Sequence, residues 1–532
     1  MRFLTSLWGA FAGLAREMRW SYLPPLMVYM AYGISGLTAI VGTFFVKDHL
    51  GLSAEFLAAL GFWAGIPWAL KMPIGHLVDL FWRYKAWLIV FGASLMAASM
   101  FIMLGLIADK AMMVQYMSAE NWYVLAALLA PTGYVVQDVV ADAMTVEAVP
   151  TVDTAGNKLD DLAIKTAHTT MQTLGRVAIV GGGLLVSLVN VVLFHNVPPE
   201  QMQDTYVLIY QMALAVPVIS VLGVAVAYFL QRKRAAEMRA NGLTDDDIRR
   251  LLNTQDEAPS ANWWILGGSA VYAVFTLGMG LSGIPLAQEI IFVGSMAIVL
   301  FLMSRLIKLL PESSRMALVA TAAIIFVFRA IPGPGAGAGW WQIDVLGFDQ
   351  SFMAKLGLIG GVLALLGMLA LRRWMAERSI TYVVGFLSVA GAVLSLPVIG
   401  MFYGLHEWTA AMTGGIVDAR FIAVIDTALE SPLGQVAMIP MLAWIANNAP
   451  NQMKATFFAV MASFTNLALS ANQLGTKYLN QIYTVTREVK DAAGDVAVPQ
   501  DYSELGMLLI TVTVLTVVLP LLAIVAFRKW AK

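Results

Sequence analysis

Residues Gly133 to Pro150 read GYVVQDVVADAMTVEAVP, a run of small and branched apolar residues into which Asp138, Asp142 and Glu147 are set, with Gln137 beside the first. Positions four apart on a helix lie on one face, so Asp138 and Asp142 stack one turn apart. The apolar residues upstream extend the segment to membrane-crossing length. An ionisable side chain at bilayer depth is costly unless it meets a partner or a water-filled path. Two carboxylates on one face of a membrane helix therefore call for an interior path, and the rest of the chain has to supply their partners.

The composition agrees with a membrane interior. The 532 residues are 59% hydrophobic and 13% charged, and the mean hydropathy is +0.74, against roughly 25% charged for ordinary soluble domains. A net charge of −1 provides no basic field for nucleic acid. With no cysteine, disulfides, thiolate metal sites and cysteine nucleophiles are excluded, and five scattered histidines build no histidine-rich metal centre. No metal and no cofactor is expected. The first apolar stretch is too long for a cleavable signal and no small-residue cleavage pattern follows it.

Outward from residues 133–150, apolar segments of membrane-crossing length recur at 22–46, 54–74, 86–107, 122–149, 166–194 and 206–230, then at 263–282, 286–304, 316–331, 351–371, 380–402, 421–447, 453–483 and 505–527. Each meets the requirement of about 20 residues, which makes about fourteen spans. Leu4, Leu7, Trp8, Phe11, Leu14 and Met18 fall at helical spacing with Arg2, Arg16 and Arg19 at the ends, so residues 1–20 are expected as an interfacial amphipathic helix. The polar stretch 231–262 reads as a cytoplasmic linker holding a short soluble helix at 244–252, started by Thr244 and three aspartates. With both termini cytoplasmic, roughly 23 Lys and Arg fall inside and about five outside. The expected organisation is all-α and polytopic: a six-helix half (21–230), the linker, an extra transmembrane hairpin (263–310) and a second six-helix half (311–532).

Between the second and third spans stands GHLVDLFWRYK, with Gly75, Asp79, Arg83 and Lys85. It resembles the cytoplasmic loop signature of the major facilitator superfamily. There the glycine permits close helix approach and the aspartate latches the halves, so these four residues are the expected gating loop. Three further stretches resemble the folate–biopterin transporters of that superfamily. They are GIPWALKMPIGHLVD (65–79), QDVVADAMTVE (137–147) and FRAIPGPGAGAGWWQIDVLGFDQSFMAKLGLIGG (328–361), and the likeness continues through residues 430–468. The resemblance implies a major facilitator fold and transport of a folate- or pterin-like anion. The sequence departs from the family pattern in its extra central hairpin and in a sparse basic run after Asp79.

The intramembrane charges are the candidate working parts. Counting from span ends puts Asp138 and Arg176 at similar depth, each about ten residues from the cytoplasmic end of neighbouring spans, so they are expected to pair. Lys71 and Asp142 lie closer to the cytoplasm and form a second expected pair. In the other half Asp426 and Glu430 again stand four apart, with Lys477 in the following span and Arg329 and Lys355 at similar outer depth. Lys71, Asp138, Asp142, Glu147, Arg176, Asp426, Glu430 and Lys477 are thus candidates for proton coupling or ion pairing. Arg176, Arg329, His168, Gln172, Tyr32, Asn466, Asn472 and Gln473 are candidates for substrate binding. Tyr29, Tyr32, Trp340 and Trp341 can stack on a flat heterocycle or anchor the chain at the membrane interface.

The sequence is accordingly read as a proton-coupled secondary transporter in a bacterial inner membrane, working by alternating access on a small organic solute. Its expected partners are that solute, protons and the bilayer, with no nucleic acid and no identified protein partner. A muropeptide-type permease and a non-transporting assembly factor with a transporter fold are the alternatives. An intramembrane metal-dependent enzyme is disfavoured, because its paired acids would have to share one depth and those of the two halves do not.

Overall fold

A computed structural model describes residues 17–69, 84–252, 286–308, 312–371, 378–433, 454–490 and 495–531, with isolated positions in the gaps. The described chain is almost wholly helical. The first apolar segment divides into α1 (Leu23–Ile34), a 3-10 turn over Ser35–Thr38 and α2 (Ala39–His49). Then come α3 (Ala54–Ala69), α4 (Lys85–Ala108), α5 (Ala119–Ala148), α6 (Asp161–Leu193), α7 (Met202–Ala213) and α8 (Ala215–Ala240). Helix α8 runs on through Arg232 and Lys233 to Ala240, where hydropathy ends the span near residue 230. Thr244 Oγ1 accepts from Asp247 N at 3.2 Å and caps α9 (Asp245–Leu252).

The second part holds α10 (Ala287–Ile307), α11 (Glu312–Arg329), α12 (Ala336–Asp344), α13 (Gln350–Ala370) and α14 (Ile380–Phe402). It closes with α15 (Leu405–Met412), α16 (Ala419–Glu430), α17 (Lys454–Ile482) and α18 (Leu505–Phe527). A small antiparallel pair, β1 (Val489–Lys490) and β2 (Val496–Val498), rises between α17 and α18. Asp160, Asp349, Ser379 and Asp418 each cap the helix that follows by accepting a backbone N–H from its first turn. Among the described residues eight helical stretches are long and apolar enough to cross a membrane. The expected second and twelfth spans run into residues outside the description, as do most of 263–282 and the amphipathic helix expected at the N-terminus.

Lipid tails are as apolar as leucine, so small residues and close backbone contact hold such helices together. Helix α4 packs along α5 where Gly92 and Gly133 meet, and a Cβ on Gly92 would stand 2.7 Å from the Gly133 carbonyl oxygen. Helix α1 packs on α6 through Gly33 and Gly182. Helices α1–α8 pack chiefly among themselves, as do α11 to α18, and the two groups meet through α3 against α17 and α6 against α13. The helix ends at His49, Asp344 and Ile482 share one end of the bundle, the far end. Residue 17, Lys85, Ala148 and Phe527 lie at the near end.

Between α11 and α12 the prolines of Ile331-Pro332-Gly333-Pro334 interrupt the helix and Gly335 adopts φ +75°. Unwound backbone at membrane depth must find partners inside the protein. Helix α17 supplies them: Asn472 donates to the Ile331 carbonyl, Gly333 N donates to Thr476 Oγ1 at 2.9 Å, and Asn480 donates to the Pro334 carbonyl at 3.3 Å. The corresponding helix of the first half is broken too, at the turn between α1 and α2.

Candidate functional site

The stripe Tyr134, Asp138, Asp142 runs down one face of α5, each residue four after the last. Opposite it, α1 presents Tyr29 and Tyr32, three apart, and the chain just beyond α3 brings in Lys71. The Lys71 ammonium sits between the two acids, 2.6 Å from Asp138 Oδ2 and 2.7 Å from Asp142 Oδ2. Tyr29 donates its hydroxyl to Asp142 Oδ1 at 2.5 Å. Asp138 is 13% exposed and Asp142 41%, so the second acid is the one that water reaches.

The expected Asp138–Arg176 ion pair is therefore corrected: the cation on Asp138 is Lys71, which also holds Asp142. Arg176 projects from α6 into electrostatic reach of Tyr29, Tyr32 and Asp138, and among the described residues it has no ion-pair partner. Gly175 sets its approach, since a Cβ there would stand 2.9 Å from the Tyr29 ring. Depth counting put Asp138 beside Arg176 because it carries no rotational information, and the rotation of α5 turns Asp138 toward Lys71 instead.

An aromatic wall stands beside these charges. Tyr32 meets Trp68 edge-on at 5.8 Å and Tyr134 edge-on at 5.6 Å. A small pocket opens there, lined by Val28, Tyr29, Tyr32, Tyr134, Gln137 and Asp138. Gln137 donates its amide to the Ile89 carbonyl at 3.0 Å. Trp68 and Tyr134 were absent from the candidates drawn from sequence. The i, i+4 spacing of Tyr134 to Asp138 was the available signal for one of them.

The remaining candidates are distributed elsewhere. Glu147 pairs with Lys85, joining the near ends of α5 and α4. Lys477 pairs with Glu289 of α10 at 3.1 Å, and Tyr478 donates to the same carboxylate oxygen at 2.5 Å. Gln288 also reaches the Ala59 carbonyl on α3, at 3.2 Å, so α10 lies along the seam of α3 and α17. Asn466 donates to the Trp68 carbonyl at 3.1 Å and Asn472 to the break at Ile331, while Gln473 packs on Gly61. These contacts bridge helices, and none of Asn466, Asn472 and Gln473 lines the pocket.

Asp426 sits on the inward side of α16, opposite the exposed face of Phe421, Ile425 and Leu429. Among the described residues its buried Oδ1 has no hydrogen-bond partner. Glu430 is exposed one turn on, and Arg329 ends α11. Trp340 and Trp341, 2% and 3% exposed, belong to the far-end core rather than to the pocket. Gly75, Asp79 and Arg83, and the side chains of His168 and Gln172, lie outside the described residues. Among the described residues no group of three His, Asp or Glu side chains is placed to hold a metal ion.

Comparison with known proteins bears on this arrangement. A sequence model of the BT1 family matches residues 32–529. A folate–biopterin transporter of Synechocystis sp. is 21% identical over 460 residues, which cover 86% of this chain and 74% of the relative. Among solved structures, a POT family transporter in complex with 5-aminolevulinic acid superposes with a TM-score of 0.58 at 12% identity, over 98% of this chain and 97% of its own. A mutant of the nucleoside transporter NupG gives 0.55 at 12% identity over 97% and 100%. A D-xylose–proton symporter gives 0.52 at 12% identity over 96% of both chains. At such identities the likeness is one of fold, and the fold is that of the major facilitator transporters.

Proposed function

Because the chain belongs to the BT1 family, we propose that it is a secondary active transporter for a flat, anionic heteroaromatic solute of the folate or pterin kind. The observation that carries this reading is Arg176, a cation without an ion-pair partner among the described residues, placed beside the wall of Tyr29, Tyr32, Tyr134 and Trp68. Arg176 offers a planar fork of donors to a carboxylate or an acidic ring, and the aromatic wall offers faces for stacking. The name of the Synechocystis relative points the same way.

Transport by alternating access has the halves 21–230 and 311–532 rocking about the contacts of α3 with α17 and α6 with α13. Proton coupling uses acids whose charge is not permanently compensated. Asp426, with a buried oxygen lacking a hydrogen-bond partner among the described residues, takes the proton, and Asp142, the more exposed partner of Lys71, is the second site. The chain lies in a bacterial inner membrane with both termini cytoplasmic.

The test is a thermal-shift screen of purified protein against folates, pterins, muropeptide fragments and simple organic anions, followed by uptake of the best ligand into proteoliposomes with and without a proton gradient. Stabilisation by pterins or folates and gradient-driven uptake are expected. Stabilisation by muropeptides alone would replace the substrate class.

A further inference from the structure

At the far end an ion pair joins the two halves. Lys47, in the last turn of α2, places its ammonium 2.5 Å from Oδ1 of Asp344, the last residue of α12. The two side chains are 13% and 17% exposed. The other oxygen of Asp344 accepts the Tyr502 hydroxyl at 2.6 Å. Lys47 belongs to the first half; Asp344 and Tyr502 belong to the second.

Arg487 stands nearby, and among the described residues its guanidinium has no hydrogen-bond acceptor. It is 3% exposed, and its Nε, Nη1 and Nη2 are all buried. Its guanidinium lies 4.5 Å from the centre of the Trp340 ring. Trp340 and Asp344 are four apart on α12 and share one face, so Arg487 rests one turn from the carboxylate, within electrostatic reach of Asp344 and Asp48. The loop that bears Arg487 is anchored to the second half. Thr486 and Asp501 exchange backbone hydrogen bonds at 2.9 Å, and Thr484 N donates to Glu504 at 2.6 Å. Arg487 and Asp344 therefore move together, whereas Lys47 leaves with the other half.

A buried guanidinium with unmet donors is costly in any state that has no use for it, and an aromatic face compensates only part of that cost. We propose that Asp344 exchanges partners during the transport cycle: Lys47 holds it across the halves when the far end is closed, and Arg487 takes it over within the second half when that end opens. The exchange keeps Asp344 compensated in both states and lowers the barrier to opening. It rests on the alternating-access reading.

The experiment uses the absence of native cysteine. Tyr116 and Ile416, 80% and 70% exposed on far-end loops of opposite halves, are replaced by cysteine and spin-labelled, and their distance distribution is read by pulsed electron resonance in reconstituted protein. Lys47→Met is expected to raise the long-distance fraction, and Arg487→Met to lower it by about two- to fivefold, the worth of one modest ion pair. Arg487→Lys, which keeps the charge, restores part of the loss. In an Asp344→Asn background, Arg487→Met is expected to change nothing further, which separates the exchange from a packing role on Trp340. A long-distance fraction that Arg487→Met leaves unchanged or raises overturns the exchange while two distances remain. One unvarying distance in the wild type and every variant overturns alternating access itself, and the exchange with it.

Discussion

Lys71 holds Asp138 at 2.6 Å and Asp142 at 2.7 Å, a single ammonium shared by two carboxylates one turn apart on α5. Removing the shared cation leaves two like charges facing each other at membrane depth. Breaking a buried pair from one side costs about 3–5 kcal/mol, and the charge left stranded is that of Asp138, the less exposed of the two acids. Lys71→Met is expected to lower the midpoint of thermal unfolding in detergent well below that of Lys233→Met, an exposed lysine on α8. Adding Asp138→Asn to Lys71→Met recovers part of the loss. Equal midpoints for the two single variants would show that the triad contributes nothing to stability.

Arg176 makes a contrasting case. Among the described residues it has no ion-pair partner, so its removal strands no opposite charge. Arg176→Gln is expected to leave the unfolding midpoint of the ligand-free protein unchanged while weakening pterin or folate binding by about 10- to 100-fold, the worth of one charged hydrogen bond or a bidentate pair. Arg176→Lys keeps the charge and loses the fork, and falls between. Titration calorimetry decides it, and an unchanged affinity in Arg176→Gln would remove this residue from the site.

What the sequence disclosed, and what it hid, follows from which physical terms are local. Hydropathy placed α4, α5, α13, α14 and α18 because crossing a bilayer is a property of one segment at a time. Thr244 announced α9 because a cap acts within one turn. The acids of α5 were legible for the same reason. Their cation was not, since whether Asp138 faces Lys71 or Arg176 depends on how α3, α5 and α6 are rotated against one another. Asn466 and Asn472 looked like solute ligands, yet the break at Pro332 and Pro334 leaves carbonyls only a neighbouring helix can satisfy, and Asn472 answers one of them. Lys47 and Asp344 carried no mutual signal at all. Their pairing depends on the two halves meeting at the far end.

The glycines of the first half differ sharply in what surrounds them. A Cβ at Gly33 would press into the backbone of Ile179 and Gly182 on α6, whereas one at Gly36 meets nothing within 4 Å. Gly33→Val is therefore expected to destabilise by about 1–3 kcal/mol or to prevent assembly, as overpacking does, and Gly36→Ala to be close to neutral. Because Tyr29 lies on the same helix as Gly33, a folded Gly33→Val variant also loses ligand affinity. Yield of monodisperse protein and its unfolding midpoint measure the first effect. Equal behaviour of the two variants would mean that α1 and α6 do not cross here.

The loop from 151 to 160 is tied to α8 by Arg234, which donates to the Val152 carbonyl at 2.8 Å, and by Asn241, which donates to that of Thr154 at 3.0 Å. Within it Asp153 is held below the usual carboxylate range, chiefly by hydrogen bonds from the backbone and side chain of Asn157, then by the amides of Ala155 and Gly156. A depressed value in the folded state means that the carboxylate stabilises the loop above the unfolded value of about 3.9, and that this stability disappears as pH falls through the folded value. Amide protection at Ala155 and Asn157 is expected to be level from pH 7 to 5 and to drop below about pH 4. In Asp153→Ala the protection is low throughout. A profile for the unsubstituted loop that stays flat to acid would assign its order to Arg234 and Asn241 alone.

Asp426 and Asp142 divide the proton question between the halves. Asp142 has Lys71 and Tyr29 as partners, whereas Asp426 has a buried oxygen with no hydrogen-bond partner among the described residues and the like charge of Glu430 one turn away. A carboxylate so placed is relieved by binding a proton, and an asparagine imitates the protonated form. Asp426→Asn is therefore expected to leave substrate exchange between equal compartments intact while abolishing accumulation driven by a proton gradient, since exchange needs no net proton release. Asp142→Asn removes one anchor of Lys71 and is expected to slow both processes. Counterflow and gradient-driven uptake in the same proteoliposomes separate the two. If Asp426→Asn still accumulates solute against a gradient as the wild type does, the coupling proton rides elsewhere, and Asp142 becomes the residue to test next.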